Sequence, residues 1–76
     1  MEADVARGHR ELERVVRDEA GRVTAAMVRL IGDFDVAEDA VQDAVVTALE
    51  RWPRDGVPEN PGAWLMTTAR RKALDR

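Results

Sequence analysis

The apolar residues of this chain recur at steps of three and four, and no segment keeps an alternation of apolar and polar positions. The first apolar stripe runs from Arg10 to Ile31 and consists of Leu12, Val16, Ala20, Val23, Met27 and Leu30. This spacing predicts an amphipathic helix, because residues three and four apart share one helix face. Gly21 interrupts the stripe, so the segment is either two short helices or one helix with a weak point.

A second helix is predicted after the stretch "IGDFD" (residues 31–35). Gly32 is a C-cap candidate, and Asp35 with Glu38 three residues later matches a capping box, so the helix should begin near Val36. Pro53 is predicted to stop it, because proline has no backbone N–H to donate. The apolar face of this helix comprises Ala37, Val41, Ala44, Val45, Ala48, Leu49 and Trp52.

A loop is predicted from Pro53 to Asn60, because proline and glycine are frequent there. Asn60 followed by Pro61 is typical of an N-cap and first helical position, so a last helix should begin there. We expect its inward positions to be Leu65, Ala69 and Ala73, flanked by Thr68 and Leu74, with Trp64, Thr67, Arg70 and Arg71 nearer the solvent. The pattern as a whole predicts an all-α domain over residues 1–76, folded as a compact bundle of three to four helices.

Charge is distributed unevenly along the chain, although the formal net charge is only −3. Residues 1–61 contain 8 Lys/Arg and 14 Asp/Glu, whereas residues 62–76 contain 4 Lys/Arg and one Asp. Such asymmetry indicates two different partners, one basic and one anionic. The alternative is a set of ordinary solvated helix faces.

Several classes of function are disfavoured by the residues that the chain lacks. There is no cysteine, and His9 is the only histidine, so no metal site, cofactor or disulfide framework is predicted. No glycine-rich phosphate loop or Ser/His/Asp arrangement occurs, and we therefore expect no catalytic residues and no enzyme activity. No apolar run approaches the length of a membrane span, which favours a cytoplasmic protein without membrane contact.

The polar face of the second predicted helix carries two carboxylates one turn apart. Asp39 and Asp43 form a like-charge pair, with Gln42 between them and Val46 on the same face. This face is either a solvated acidic surface or a docking surface for a basic partner helix, and an apolar residue among acids slightly favours docking.

The last predicted helix combines arginines with hydroxyl groups and a tryptophan. Arg70 and Arg71 are suited to phosphate contact, Thr67 can bond to phosphates or bases, and Trp64 offers a face for an unstacked base. The alternative is that Trp64 belongs to the core and the arginines complement the helix C-terminus. A helix-turn-helix is disfavoured, because the predicted loop of eight residues (53–60) is longer than its turn.

Two stretches, "DVAEDAVQDAVVTAL" (residues 35–49) and "AWLMTTARRKALDR" (residues 63–76), occur in this order with a short loop between them. Together they resemble the paired signatures of region 2 in the sigma-70 family of bacterial RNA polymerase sigma factors, specifically the extracytoplasmic-function (ECF) group. The resemblance covers roughly residues 9–76 and implies a transcription initiation factor domain.

By this resemblance, the first signature helix would dock on the clamp helices, a coiled coil of the polymerase beta-prime subunit. The residues matching the family's polymerase contacts are Asp39, Gln42, Asp43, Val46 and Leu49. The loop and last helix would recognise and melt the promoter minus-ten element and hold its non-template strand. The loop from Arg54 to Asn60 would help to form a pocket for a flipped base, and the strand path would be lined by Trp64, Thr67, Arg70 and Arg71.

The match departs from the family pattern at several positions. Arg71 replaces an asparagine, Met66 an aromatic residue and Thr68 an isoleucine, while Val45 and Leu49 replace a phenylalanine and a tryptophan. The resemblance further implies an anti-sigma partner and an additional DNA-reading domain after Arg76. Two alternatives stay open, a helical DNA-binding regulator and a protein-docking module, both unrelated to polymerase.

Overall fold

Three α-helices account for nearly all of the described chain. The computed structural model describes the backbone of residues 2–75 and the side chains of residues 10–75. The helices are α1 (Glu2–Ile31), α2 (Phe34–Asp55) and α3 (Pro61–Leu74), and each packs against the other two. A helix of 30 residues spans about 45 Å, and the molecule accordingly measures 44 × 20 × 20 Å. The prediction of an all-α bundle is confirmed.

The first stripe forms one helix that continues through Gly21. Gly21 is exposed, and a β-carbon added there would meet nothing within 4 Å. Packing therefore does not require glycine at this position, which only weakens the helix by about 1 kcal/mol relative to alanine. The helix survives this weak point because its apolar stripe is buried on both sides of it.

The turn between α1 and α2 is shorter than predicted. Gly32 adopts a φ of +79° and donates its N–H to the Val28 carbonyl, 2.7 Å away, as a C-cap glycine does. The next residue, Asp33, is extended and caps α2 by accepting from the Val36 N–H at 3.1 Å. The predicted cap at Asp35 is wrong: because Gly32 reverses the chain at once, Asp35 already lies in the first turn, where its charge still favours the helix dipole.

The prediction that Pro53 stops α2 is also wrong. The helix continues to Asp55 and ends at Gly56, which has a φ of +89° and donates its N–H to the Trp52 carbonyl at 2.8 Å. Proline removes one hydrogen bond in the last turn of the helix, where few further bonds depend on it. The same turn holds Trp52, which is only 3% exposed, and burial of its indole offsets the loss. The loop is thus five residues long, 56–60, and still exceeds a helix-turn-helix turn.

The core is built around small residues on the inner face of α2. Met27 of α1 and Leu65 of α3 are completely buried and supply the largest fully buried side chains. The other buried residues are Leu12, Val16 and Val23 on α1, Ala37, Ala40, Val41, Ala44, Ala48 and Trp52 on α2, and Ala69 on α3. Small alanine side chains let neighbouring helices approach closely, which is consistent with the packing of α2 against both α1 and α3.

Several residues predicted to face inward are exposed or only partly buried. Leu30 is 59% and Leu74 is 81% exposed, and both line an open groove of about 300 Å³ between the C-terminal ends of α1 and α3. The reason is that these last turns flank a groove that no other described element fills. Ala73 and Val45 are partly buried, and Leu49 is 37% exposed. Within the described residues, each helix lacks the combination of length and apolar character that crossing a bilayer requires.

The N-terminus of α3 meets a carboxylate from α1. A β-carbon added at Gly62 would lie 2.7 Å from Oε2 of Glu19, so the half-buried Glu19 covers the first turn of α3. A negative charge there interacts favourably with the exposed N–H groups and the helix dipole. This contact joins the middle of α1 to the start of α3, which Asn60 caps by accepting from the Ala63 N–H at 3.1 Å.

We expect Gly62→Ala to be more stabilising in the Glu19→Ala background than in the wild type. Alanine improves helix propensity by about 1 kcal/mol, but in the wild type its methyl group displaces the Glu19 carboxylate and loses the favourable dipole contact. A thermal-denaturation cycle of the wild type, both single variants and the double variant measures this coupling. Additive changes in the free energy of unfolding would mean that Glu19 does not occupy this position.

Candidate functional site

One exposed surface lies along α2, opposite its buried alanines. We call it the α2 face and define it as Asp39, Gln42, Asp43, Val46 and Leu49, all of which are exposed. These positions follow steps of three and four, so a single helix presents them on one side. Val46 is 53% exposed, which leaves an aliphatic side chain in water beside two carboxylates. The structure thus brings together all five residues predicted from the sequence for polymerase contact.

A second exposed surface lies along α3. We call it the α3 face and define it as Trp64, Thr67, Arg70 and Arg71. Thr67, Arg70 and Arg71 are exposed, while Trp64 is half-buried. Arg71 and Lys72 lie in the last turn of the helix, where positive charge interacts favourably with the dipole. This surface therefore carries concentrated positive charge together with a hydroxyl donor.

Two further predicted residues flank the loop that leads into α3. Arg54 lies in the last turn of α2 and is exposed, and Asn60 is the N-cap of α3. The Asn60 side-chain oxygen accepts the Ala63 N–H, which leaves the two N–H groups of the amide and one further lone pair of that oxygen. Capping alone accounts for an asparagine here, and the amide donors are what it can offer to an acceptor such as a phosphate or a base edge.

Trp64 is held mainly by the core. Its ring packs edge-on against Trp52, with ring centroids 5.2 Å apart and an interplanar angle of 70°. Within the described residues, Nε1 of Trp52 is buried and has no hydrogen-bond partner. An unsatisfied buried donor costs about 1–3 kcal/mol, which the apolar contacts of the ring pair must offset. Only the part of the Trp64 ring that stays exposed is therefore available for stacking on a base.

A shallow groove between α1 and α2 adjoins the α2 face and was missed from the sequence. We call it the α1–α2 groove; it measures about 240 Å³ and is lined by Glu13, Val16, Arg17, Ala20, Gln42, Val45 and Leu49. Gln42 and Leu49 belong to both the groove and the α2 face. The only sign of this groove in the sequence is the spacing of Glu13 and Arg17 beside the core stripe of α1. That spacing does not reveal which part of α2 lies opposite.

In the part of the chain that the structure describes, no three His, Cys, Asp or Glu residues are grouped closely enough to hold a metal ion. The His9 side chain and Arg76, both considered in the sequence, lie outside the described residues. The described surface offers instead two charged helix faces and open grooves, which suit macromolecular contact better than enclosure of a small substrate.

Comparison with known proteins identifies the family. A family model described as Sigma-70 region 2 matches residues 15–76. An uncharacterized protein of Rhizobium meliloti (strain 1021) is 41% identical over 51 residues, an alignment covering 67% of this chain and 12% of that relative. The chain thus aligns with only a small part of this relative. No solved structure matches the chain.

We expect Trp64→Ala to destabilise the fold by about 3 kcal/mol, because truncating a packed aromatic residue leaves a cavity and here also ends the contact with Trp52. Urea denaturation followed by circular dichroism measures the change. Thr67→Ala, on the same helix but exposed, is the control and should change stability by less than about 0.5 kcal/mol. Equal stability of the two variants would show that Trp64 is not part of the core.

Proposed function

Because the chain belongs to the sigma-70 region 2 family, we propose that it is the part of a transcription initiation factor that binds RNA polymerase and recognises the promoter minus-ten element. We assign it to the ECF group on the residues of its two signatures. The observation that carries the proposal is that the two signatures place acids on an exposed face of α2 and arginines on an exposed face of α3, within one small bundle.

The α2 face is suited to a basic helical partner, which we propose to be the clamp coiled coil of the polymerase beta-prime subunit. Asp39 and Asp43 one turn apart repel each other by a few tenths of a kcal/mol in an isolated helix. Attraction to basic side chains of a docked partner would offset that repulsion and would also steer association. Burial of the exposed parts of Val46 and Leu49 would add about 25 cal/mol per Å² of apolar surface.

The α3 face and the loop before it are suited to single-stranded DNA, which we propose to be the non-template strand of the minus-ten element. Arg70 and Arg71 would contact phosphates, and Thr67 would donate to a phosphate or a base edge. Arg54 and the amide donors of Asn60 stand at the two ends of the loop that would receive a flipped base. Arg71 in place of the family's asparagine favours phosphate contact over base reading.

Strand opening by this face would proceed by exchange of stacking interactions. Bases that leave the duplex lose their stacking, and capture on an aromatic surface returns about 1–3 kcal/mol per base. The half-buried Trp64 offers only part of its ring, so arginine contacts would carry a larger share of the affinity. An acidic chain of net charge −3 should therefore need bound polymerase to hold DNA firmly.

Replacing both Asp39 and Asp43 with lysine should weaken binding to beta-prime clamp helices at least about tenfold, because like charges would then face each other across the interface. Asp18→Lys is the control: Asp18 is exposed on α1, is not part of the α2 face and does not line the α1–α2 groove. Fluorescence anisotropy with labelled clamp helices at fixed salt provides the affinities. Unchanged binding by the double variant would overturn the polymerase assignment and, if DNA binding persists, favour a regulator unrelated to polymerase.

Replacing Arg70 and Arg71 with glutamate should abolish most binding of single-stranded minus-ten DNA in the presence of core polymerase. The loss of two phosphate contacts should also reduce the salt dependence of log K by about 1.4, at about 0.7 per contact. Arg14→Glu, on the exposed side of α1, is the control for charge. If the double substitution leaves DNA binding by the polymerase complex unchanged, the α3 face takes no part in that binding, which would favour a module that docks on proteins alone.

A further inference from the structure

We propose that the α1–α2 groove is a socket for one aliphatic side chain of the clamp helix that docks on α2, which extends the polymerase-binding surface onto α1. This inference rests on the proposed function of the α2 face. It assigns Val16, Arg17 and Ala20 of α1 to the interface, none of which lies in the signature stretches.

The lining of the groove determines the chemistry of its occupant. The floor is aliphatic: Val16 is buried, while Ala20 and Val45 are half-buried. The rim carries one carboxylate and one guanidinium, from Glu13 and Arg17, so it has no net charge. An aliphatic floor under a rim of no net charge favours an apolar side chain over a charged one, because a charged group would lose hydration against the floor and its attraction to one rim charge would be opposed by the other.

The size and position of the groove fit a helix laid along α2. A volume of about 240 Å³ has room for one inserted aliphatic side chain. Helices pack by inserting one side chain between several residues of the facing helix, as a knob enters a hole. Because Gln42 and Leu49 line the groove and also belong to the α2 face, one docked helix would reach both.

The acidic residues beside this socket predict where the partner's basic residues would lie. Asp39 and Asp43 lie within one helical turn of Gln42 and are outside the groove. A matching clamp helix would therefore present one aliphatic knob flanked, about one turn away, by basic side chains. The acids would provide steering and the groove would provide apolar burial.

Filling the socket tests this inference. We expect Ala20→Leu to weaken binding of clamp helices about tenfold, equivalent to about 1.4 kcal/mol, because the new side chain occupies the space of the partner's knob. The matched control is Ala25→Leu, the same substitution at an exposed position of α1 that does not line the groove. It should bind as the wild type does. Equal affinities of the two variants would overturn the inference.

A second measurement does not require the fold to tolerate a larger side chain at position 20. The chain has no cysteine, so Ala20→Cys and Ala25→Cys each introduce a single thiol. Bound clamp helices should slow maleimide alkylation of A20C at least about tenfold and leave A25C unaffected, because exclusion of the reagent follows burial. Equal alkylation rates of A20C with and without clamp helices would also overturn the inference.

The outcomes separate the socket from the proposed function. If the variant carrying lysine at positions 39 and 43 loses binding while Ala20→Leu does not, the polymerase assignment stands and the socket is wrong. If neither variant changes binding, the polymerase assignment itself fails.

Discussion

The row of alanines on the inner face of α2 is the constraint on which the rest of the structure depends. Ala37, Ala40, Ala44 and Ala48 are completely buried, so α2 can approach both α1 and α3 closely without large side chains between them. Their small volume leaves Met27 and Leu65 to fill the interior. With one side of α2 committed to this contact, its other side faces solvent along the whole helix, and a docking surface can form there without disturbing the core.

In α2 and α3 the charged faces are separate from the buried core. The two charged faces lie on the outer sides of α2 and α3, so most of their residues can change with little effect on folding. Trp64 is the exception, because the ring that would meet DNA also packs on Trp52. On the proposed function, stability and strand capture would be coupled at this residue. The coupling is physically reasonable in a small protein, where few aromatic residues are available to serve both purposes.

Much of the fold follows from local rules, and the errors arose where a neighbouring residue overrides the rule that was applied. Gly32 and Asn60 act as caps as predicted, since a positive φ and a side-chain acceptor are properties of the residue itself. Asp35 matched a capping box better than Asp33 did, but the position of Gly32 decides where the chain reverses. Pro53 by itself predicts a stop, whereas the buried Trp52 beside it keeps the last turn in place.

The sequence by itself determined an all-α bundle of three to four helices, the composition of the α2 face and the basic character of α3, because each depends on spacing along the chain. Only the tertiary structure decided how deeply Trp64 is buried, that Leu30 and Leu74 stay exposed, and that residues of α1 and α2 form a groove. These features depend on the relative rotation and overlap of helices. Periodicity shows which side of a helix is apolar, but not which residues of another helix lie opposite it.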